Sequence, residues 1–285
     1  MKKLIFIFLV VLFLSCNYKE EVSVKYFAPS WTSDNKIVFI EIYWYQKYRE
    51  GPIGTDLVEN REIGYLWEVD TNQVYRRIAK LWDSEYNLAL TNTTSALDWV
   101  AFSILGEDGE YEIWVIRRDG TGLRRLTKGN WPDFSPDAKK IVFERDDGLY
   151  IINIDGTGEH RIVNDPRANY PDWSSDGGRI AYVIFSPVND NLIIIDTMGN
   201  FLNSYNTKII APDWGPIDSN AISFNNWDYG CILHLTNGKI DTFYTENTWE
   251  GLFLWSPSGN LFLRNTTVIK YDGTTLFKIN PKGKL

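Results

Sequence analysis

The sequence predicts an all-β chain that folds as a six-bladed β-propeller of four-stranded antiparallel blades. Three observations lead to this prediction. Aromatic residues make up 15% of the 285 residues, with 12 Trp, and aromatic rings pack well on the pleated surface of a strand. A short aromatic motif returns about every 40 residues, and a period of this length is typical of propellers and solenoids. Asp-Gly and Asn-Gly turns recur in phase with it and divide each repeat into hairpins.

The first repeated signal is a proline, a variable residue and an aromatic residue, followed by a polar turn and an apolar strand. We call the aromatic residue of each copy the leading aromatic. The second repeat keeps its strand, Val100-Ala101-Phe102, but has no aromatic residue near Thr93. We expect the leading aromatics to pack between neighbouring sheets, because large rings fill the gaps between blades. The copies are Pro29-Ser30-Trp31, Pro132-Asp133-Phe134, Pro171-Asp172-Trp173, Pro212-Asp213-Trp214 and, without the proline, Leu254-Trp255.

The second signal is an apolar strand that ends in a tight polar turn, and it occurs six times in phase with the first. Asp-Gly and Asn-Gly turns tolerate positive φ at both central residues and therefore close hairpins. Each repeat thus supplies two hairpins, or four strands. One such sheet cannot bury both of its faces, whereas six sheets arranged radially cover one another. The strands begin at Leu66, Ile113, Leu149, Leu192, Ile232 and Val268.

Three of the turns carry a more specific motif. Phe134-Ser135-Pro136-Asp137, Trp173-Ser174-Ser175-Asp176-Gly177 and Trp255-Ser256-Pro257-Ser258-Gly259 resemble the Trp-Ser-Pro-Asp-Gly repeats of the TolB-type propeller family. The resemblance covers roughly residues 26–280, and Gly215-Pro216 departs from it after Trp214. It implies a propeller fold but no single function, because propellers of that family serve many purposes. TolB itself also has an N-terminal α/β domain, for which the short segment before the first predicted blade leaves no room.

Residues 1–15 read as a signal peptide. Two lysines precede an apolar run over residues 4–14, and Cys16 follows it closely. A permanent membrane helix needs about 20 apolar residues, so the shorter run is typical of an export signal. Residues 13–16 resemble a bacterial lipobox, in which the cysteine is acylated and becomes the first mature residue. We expect a protein lipid-anchored in the bacterial envelope, periplasmic or surface-exposed, with residues 16–25 as a tether and 26–285 as the propeller.

The sequence offers few residues for catalysis. The formal net charge of −8 argues against nucleic acid as a partner, because such binding depends on clustered Lys and Arg. His160 follows a turn and is expected to be exposed, while His234 lies in a strand and is expected in the core or at a blade interface. If Cys16 is acylated, Cys231 has no disulfide partner and is expected to be a buried thiol. We predict no catalytic residue and no cofactor.

One set of carboxylates has two interpretations. Asp133, Asp172 and Asp213 precede the leading aromatic in three consecutive repeats, and the inner strands of a propeller surround its channel. If the three side chains converge, they could hold a hard cation such as Ca²⁺. The interpretation we favour is hydrogen bonding to the backbone of the adjacent blade, because buried polar groups need partners.

The longest non-repeating segments fall on one face of the predicted ring, where the connections between blades lie. Residues 45–63 form the largest of them and are expected to be a charged loop. Aromatic residues in or beside these connections are candidates for ligand binding, because exposed rings stack on sugars and anchor proteins. The candidates are Trp82, Tyr86, Trp131, Tyr170 and Trp249.

The leading functional hypothesis is a monomeric, non-catalytic binding module of the envelope, with a protein or a glycan as its ligand. Two alternatives remain open: a lyase or hydrolase that acts on polysaccharide through carboxylates in the channel, and a structural surface lipoprotein. Converging channel carboxylates with raised pKa values would favour the enzyme, whereas an aromatic-rich loop face would favour binding.

Overall fold

A computed structural model of the chain describes residues 17–51, 54–85, 90–186, 191–207, 209–216, 220–225, 229–244, 253–264, 266–270 and 274–279. Within these ranges the regular secondary structure consists of 24 strands. They form six four-stranded antiparallel sheets, each made of four consecutive strands. The predicted six-bladed propeller is therefore confirmed. None of the described residues forms a helix that could cross a membrane.

The blades follow one another along the chain, and blades 1 to 3 come first. Their strands are β1 (Asn17–Trp31), β2 (Ile37–Gly51), β3 (Gly54–Val69), β4 (Tyr75–Ser84), β5 (Leu90–Ala96), β6 (Trp99–Leu105), β7 (Tyr111–Arg117), β8 (Arg124–Lys128), β9 (Asn130–Phe134), β10 (Lys140–Arg145), β11 (Gly148–Asn153) and β12 (His160–Val163). Blades 4 to 6 contain β13 (Ala168–Trp173), β14 (Arg179–Ile184), β15 (Asn191–Asp196), β16 (Phe201–Asn206), β17 (Ile210–Trp214), β18 (Ala221–Asn225), β19 (Tyr229–His234), β20 (Ile240–Tyr244), β21 (Phe253–Trp255), β22 (Leu261–Arg264), β23 (Thr267–Lys270) and β24 (Thr275–Lys278).

The core lies between the blades, as the repeat predicts. The leading aromatics Trp31, Phe134, Trp173 and Trp214 are 5–7% exposed, and each belongs to an apolar cluster shared with a neighbouring blade. Trp255 differs because it is only half-buried, although its ring lies 4.4 Å from that of Phe262. Among the described residues, the buried members of its cluster are Ile232, Phe253 and Phe262.

The ring closes by side-chain packing. No described sheet combines strands from both ends of the chain, so blades 1 and 6 are joined by one apolar cluster. Phe39 of β2 and Val69 of β3 pack there with Leu263 and Val268 of blade 6. Burial of apolar surface, rather than a shared β-ladder, therefore holds the first blade against the last.

The described parts of the predicted loop, residues 45–51 and 54–63, are regular β-structure instead. Strand β2 runs to Gly51, β3 begins at Gly54, and the two pair along their length with one register shift. Their charges are satisfied across the strands, as in the ion pairs Lys47–Glu20 and Arg49–Asp56 at 3.3 and 3.2 Å. Cross-strand pairs of this kind stabilise an exposed sheet, which is why a charged segment forms strands here.

The predicted tether is also part of this sheet. Strand β1 begins at Asn17, directly after Cys16, and Asn17 is paired with Glu50, so residues 17–25 form a strand and not a flexible link. We call residues 17–25, 43–51 and 54–62 the ribbon. Strand β2 has 15 residues and the equivalent β10 has 6. At 3.3 Å per residue the ribbon therefore projects about 30 Å beyond the other blades.

Antiparallel order gives the propeller two different faces. The turn between β2 and β3 lies at the end of the sheets that also carries the connections between blades. We call this end the loop face, and the opposite end, with the short turns such as Asp155-Gly156, the turn face. The ribbon and the described aromatic candidates Trp82, Trp131 and Tyr170 belong to the loop face.

Candidate functional site

Each of the three aspartates of the repeat accepts a hydrogen bond from the first strand of the next blade. The Trp173 backbone N–H donates to Asp133 at 2.7 Å, and the Trp214 N–H donates to Asp172 at 2.7 Å. In the same way the backbone N–H of Trp255 donates to Asp213 at 2.6 Å. The favoured interpretation, a hydrogen bond to the adjacent blade, describes all three.

The same three carboxyls have raised pKa values, chiefly because they are buried and lose solvation. Burial raises the pKa of Asp133 to about 6 and that of Asp213 to about 8. The pKa of Asp172 lies well above its ordinary value because of burial and then because of the charges of Asp133 and Asp213. The neutral residues Ser30 and Leu254 stand at the equivalent positions of blades 1 and 6.

The channel does not assemble these groups as a cation site. In the described part of the chain, no group of three or more His, Cys, Asp and Glu side chains is placed to hold a metal ion. The aspartates line two cavities of about 60 and 290 Å³, and each gives an oxygen to a backbone N–H. These contacts favour the hydrogen-bond interpretation, and the Ca²⁺ interpretation of Asp133, Asp172 and Asp213 stays a prediction.

Two predicted ligand residues meet at the loop-face end of the channel. Trp131 and Tyr170 are half-buried, and their rings lie edge to face with centroids 4.3 Å apart. Both residues precede the proline of their repeat and have positive φ, 48° and 53°, a conformation that costs about 1–3 kcal/mol for a bulky residue. Hydrogen bonds stabilise this backbone conformation. Asn130 accepts from the Trp131 N–H and Glu144 accepts from the Tyr170 N–H, each at 2.9 Å.

Glu144 has no signal in the sequence that marks it as a functional residue. It is a strand residue without a repeated motif, and only the packing of blade 3 against blade 4 brings it to Tyr170. Burial raises the pKa of Glu144 to about 7. The residue lies on a broad depression of about 980 Å³ whose cations are already in ion pairs, including Arg145 with Glu159 at 2.7 Å.

Trp82 lies elsewhere on the loop face, between blades 1 and 2. It lines a cleft of about 430 Å³ together with Trp114 of β7. The apolar side chains of the cleft are Leu81, Phe102 and Ile104, and its acidic side chains are Glu107, Asp108 and Glu112. We call this site the indole cleft.

Hydrogen bonds and close packing fix the two indole rings. Glu62, which is 1% exposed, accepts from the Trp82 Nε1–H at 3.1 Å and from the Trp44 Nε1–H at 2.7 Å. Gly64 lets the ring lie flat on β3, because a Cβ there would come within 2.4 Å of Trp82. On the other wall, Glu112 accepts from the Trp114 Nε1–H at 3.1 Å. The rings are therefore held in place without any ligand.

The remaining predicted residues are either outside the described ranges or structural. Cys16, Tyr86 and Trp249 lie outside the residues that the structure describes. Cys231 is fully buried, as predicted, and burial raises the pKa of its thiol to about 11. His160 is exposed, as predicted. His234 is half-buried and so lies outside the core, and its Nε2 is 2.9 Å from a carboxylate oxygen of Asp241 in the same blade.

Solved structures with the same architecture include TolB-type propellers. A putative TolB from Agrobacterium tumefaciens matches with a TM-score of 0.58 at 17% identity, over 87% of this chain and 99% of that one. TolB from Acinetobacter baumannii matches with a TM-score of 0.55 at 17% identity, over 78% of this chain and 55% of that one. The chain shares the fold of TolB-type propellers.

The fold is also found in an enzyme. The periplasmic gluconolactonase of Pseudomonas aeruginosa matches with a TM-score of 0.54 at 12% identity, over 89% of this chain and 84% of that one. Identities this low establish the fold and leave function open.

No protein family model matches the chain. An uncharacterized protein of Agrobacterium fabrum is 29% identical over 110 residues, which cover 32% of this chain and 37% of that protein. The chain thus spans little more than a third of this relative and about half of Acinetobacter baumannii TolB.

Proposed function

We propose that the protein is a non-catalytic binding module of the bacterial cell envelope, attached through a lipid on Cys16, that presents its loop face to a protein or glycan ligand. The observation that carries this proposal is the difference between the two faces. The loop face bears the ribbon, the indole cleft and the Trp131–Tyr170 pair, whereas short repetitive turns form the turn face. Binding sites favour the face where connections vary without disturbing the sheets.

The ribbon supports the proposal through its exposed apolar side chains. Tyr18, Val22, Leu57 and Val58 are 46–60% exposed, although they lie in regular strands. Exposed apolar groups rimmed by charge mark interaction surfaces. The envelope location is supported by the signal-like residues 1–16 and by the periplasmic origin named for the Pseudomonas aeruginosa neighbour.

A second candidate is an enzyme that acts on polysaccharide through the channel carboxylates. The raised pKa values of Asp133, Asp172 and Asp213 favour it, because such shifts cluster at active sites. The hydrogen bonds of these carboxyls weigh against it, because each already accepts from a backbone N–H of the next blade. The two cavities that the carboxyls line, of about 60 and 290 Å³, also lie below the range of about 300–1,000 Å³ that is usual for ligand pockets. A structural surface lipoprotein, the third candidate, leaves the preformed indole cleft without a role.

Shortening the ribbon tests the proposed binding face. Deleting residues 50–59 removes the tip and leaves Gln46 opposite Asn60, a pair that already exists in the ladder. Because the described side chains among the removed residues, at position 50 and at 55–59, are exposed, we expect the thermal midpoint to change by only about 2 °C. Binding to partners crosslinked in envelope membranes, and co-sedimentation with purified envelope polysaccharide, should both be compared with the parent.

The matched control is Lys139→Glu on the turn face, where the lysine side chain is 79% exposed. We expect the deletion to weaken partner binding and the charge reversal to leave it unchanged. The opposite pattern would mean that the turn face binds the partner. Equal partner binding by the parent, the deletion variant and Lys139→Glu would show that the ribbon does not take part in binding.

Acylation of Cys16 is a separate prediction. The expected mature protein begins at Cys16 and carries a diacylglyceryl group, because the apolar run ends there and two acyl chains suffice for stable attachment. Mass spectrometry of the mature N-terminal peptide measures this directly, and Cys16→Ser should release the protein from the membrane fraction. An unmodified terminus downstream of Cys16 in a soluble protein would contradict the anchor.

A further inference from the structure

We propose that the indole cleft binds a cationic side chain of a partner protein, a lysine or an arginine, over the faces of Trp82 and Trp114. This inference deepens the proposed function and rests on it, because it names the chemical group that the loop face recognises. It is argued from the walls of the cleft, its charge and its hydrogen-bonding groups.

The walls are rigid aromatic surfaces. Glu62 and Glu112 hold the edges of the two indoles by their Nε1–H groups, and both rings line the cleft. An ammonium or guanidinium group over the face of a Trp ring is attracted by the electrons of that ring, and Trp is the strongest partner for this interaction. Because the rings are fixed in advance, a ligand would not have to order them.

The charge of the cleft also favours a cation. Glu107, Asp108 and Glu112 line it, and no Lys or Arg does so in the described part of the chain. Two of these carboxylates are in ion pairs, Glu112 with Arg125 at 3.1 Å and Asp108 with Lys128 at 2.8 Å, and both cations line the neighbouring depression. Glu107, which has no ion pair among the described residues, leaves the cleft with a net negative charge that repels an anionic ligand and attracts a cation.

The hydrogen-bonding groups distinguish a cation from a sugar. Sugar hydroxyls both donate and accept, so a sugar site needs donors as well as acceptors. The side chains of the cleft offer carboxylate acceptors, and their only N–H donors, on the two indoles, already donate to Glu62 and Glu112. Lysine and arginine only donate. Leu81, Phe102 and Ile104 add apolar surface that can cover the methylene stem of either residue.

The test uses the full propeller and three small probes in isothermal titration calorimetry. The probes are Nα-acetyl-lysine N-methylamide, which keeps its ε-ammonium group, its uncharged analogue Nα-acetyl-norleucine N-methylamide, and N-acetylglucosamine. We expect the lysine probe to bind at least about threefold more tightly than the norleucine probe, as a cation over an indole should. Equal affinity for norleucine would indicate a plain apolar pocket, and equal or tighter binding of the sugar would indicate a glycan site; either result overturns the proposal.

Variants locate the binding. Trp114→Phe keeps an aromatic wall with a weaker attraction for cations, and Glu107→Gln removes one exposed carboxylate without changing the shape of the cleft. Each should weaken the lysine probe by about twofold to fivefold. Trp99→Phe, on the turn face at the start of β6, is the matched control and should bind the lysine probe like the parent. Unchanged affinity in both cleft variants would show that the probe binds elsewhere and would contradict the assignment.

The outcomes separate this inference from the proposed function. If the lysine probe fails to bind while the ribbon deletion still abolishes partner capture, the cleft assignment is wrong and the binding face stands. If the probe binds the cleft but neither the ribbon deletion nor the cleft variants alter partner capture, the proposed function fails while the cation site remains.

Discussion

Replacing Trp214 by alanine is expected to lower the free energy of unfolding by about 3–5 kcal/mol, the usual loss for a large buried aromatic residue. The side chain is 5% exposed and packs with Ile222 and Phe224 in the cluster between blades 4 and 5. Its Nε1–H donates to the Asp172 carbonyl at 3.1 Å, and the Arg179 guanidinium lies 4.7 Å from the ring centroid. Alanine would remove these contacts and leave a cavity.

Trp173→Ala should cause a loss of similar size, because Trp173 is 7% exposed in the equivalent cluster. Trp255→Ala is the internal comparison, and its half-buried ring predicts a smaller loss. Urea unfolding followed by far-ultraviolet circular dichroism measures all three. A change below about 1 kcal/mol for Trp173 or Trp214 would mean that the ring is exposed in solution and that the blade interface is misplaced.

The second large effect concerns pH and the channel carboxyls. Burial raises the pKa of Asp213 from an ordinary 3.8 to about 8, so between about pH 4 and pH 8 the folded chain binds a proton that the unfolded chain has lost. The parent should therefore lose stability as the pH rises through this window, by up to about 1.4 kcal/mol per pH unit for each such proton. Asp213→Asn should flatten the profile, because asparagine keeps a side-chain oxygen for the Trp255 N–H and does not ionise.

The comparison that checks this prediction is the difference between the two unfolding free energies at pH 5 and at pH 8. We expect the variant to gain on the parent as the pH rises. Asp137→Asn on the turn face is the control, because a hydrogen bond from Ser135 lowers the pKa of that carboxyl. The Asp137 carboxyl is therefore ionised in both the folded and the unfolded chain at pH 5 and at pH 8, and its replacement should not change the difference between the two pH values. Parallel profiles for parent and Asp213→Asn would show that the channel carboxyl is ionised in the folded state without cost.

The blade architecture could be predicted because the same sequence signals for strands and turns recur in successive repeats. The triplet that ends in Trp173 and the turn that follows it recur at a fixed spacing, and the register that pairs Asp172 with Ala181 recurs in the neighbouring blade as Asp213 with Ser223. Repetition also identified the aspartates, since residues at the same place in consecutive repeats meet in the channel.

The ribbon and the indole cleft could not be predicted in the same way, because neither repeats. The charges between Lys47 and Arg61 suggested a loop, and only their pairing across three strands makes them compatible with a sheet. In the sequence, Glu62 cannot be distinguished from the other charged residues of the predicted loop. Its role becomes visible only when β3 pairs with β2 and β4, which brings Trp44 and Trp82 to its two oxygens.

The pairing of Asn17 with Glu50 at the tip of the ribbon has a mechanical consequence. A chain anchored at Cys16 and engaged through its propeller would be pulled along the axis of β1. The hydrogen bonds of an antiparallel ladder run perpendicular to its strands, so this pull loads the bonds between β1 and β2 in shear and all at once. A pull across the ladder would instead break them one after another. If Cys16 carries the proposed lipid, the ribbon would join this anchor to the propeller in the orientation in which an antiparallel ladder resists force best.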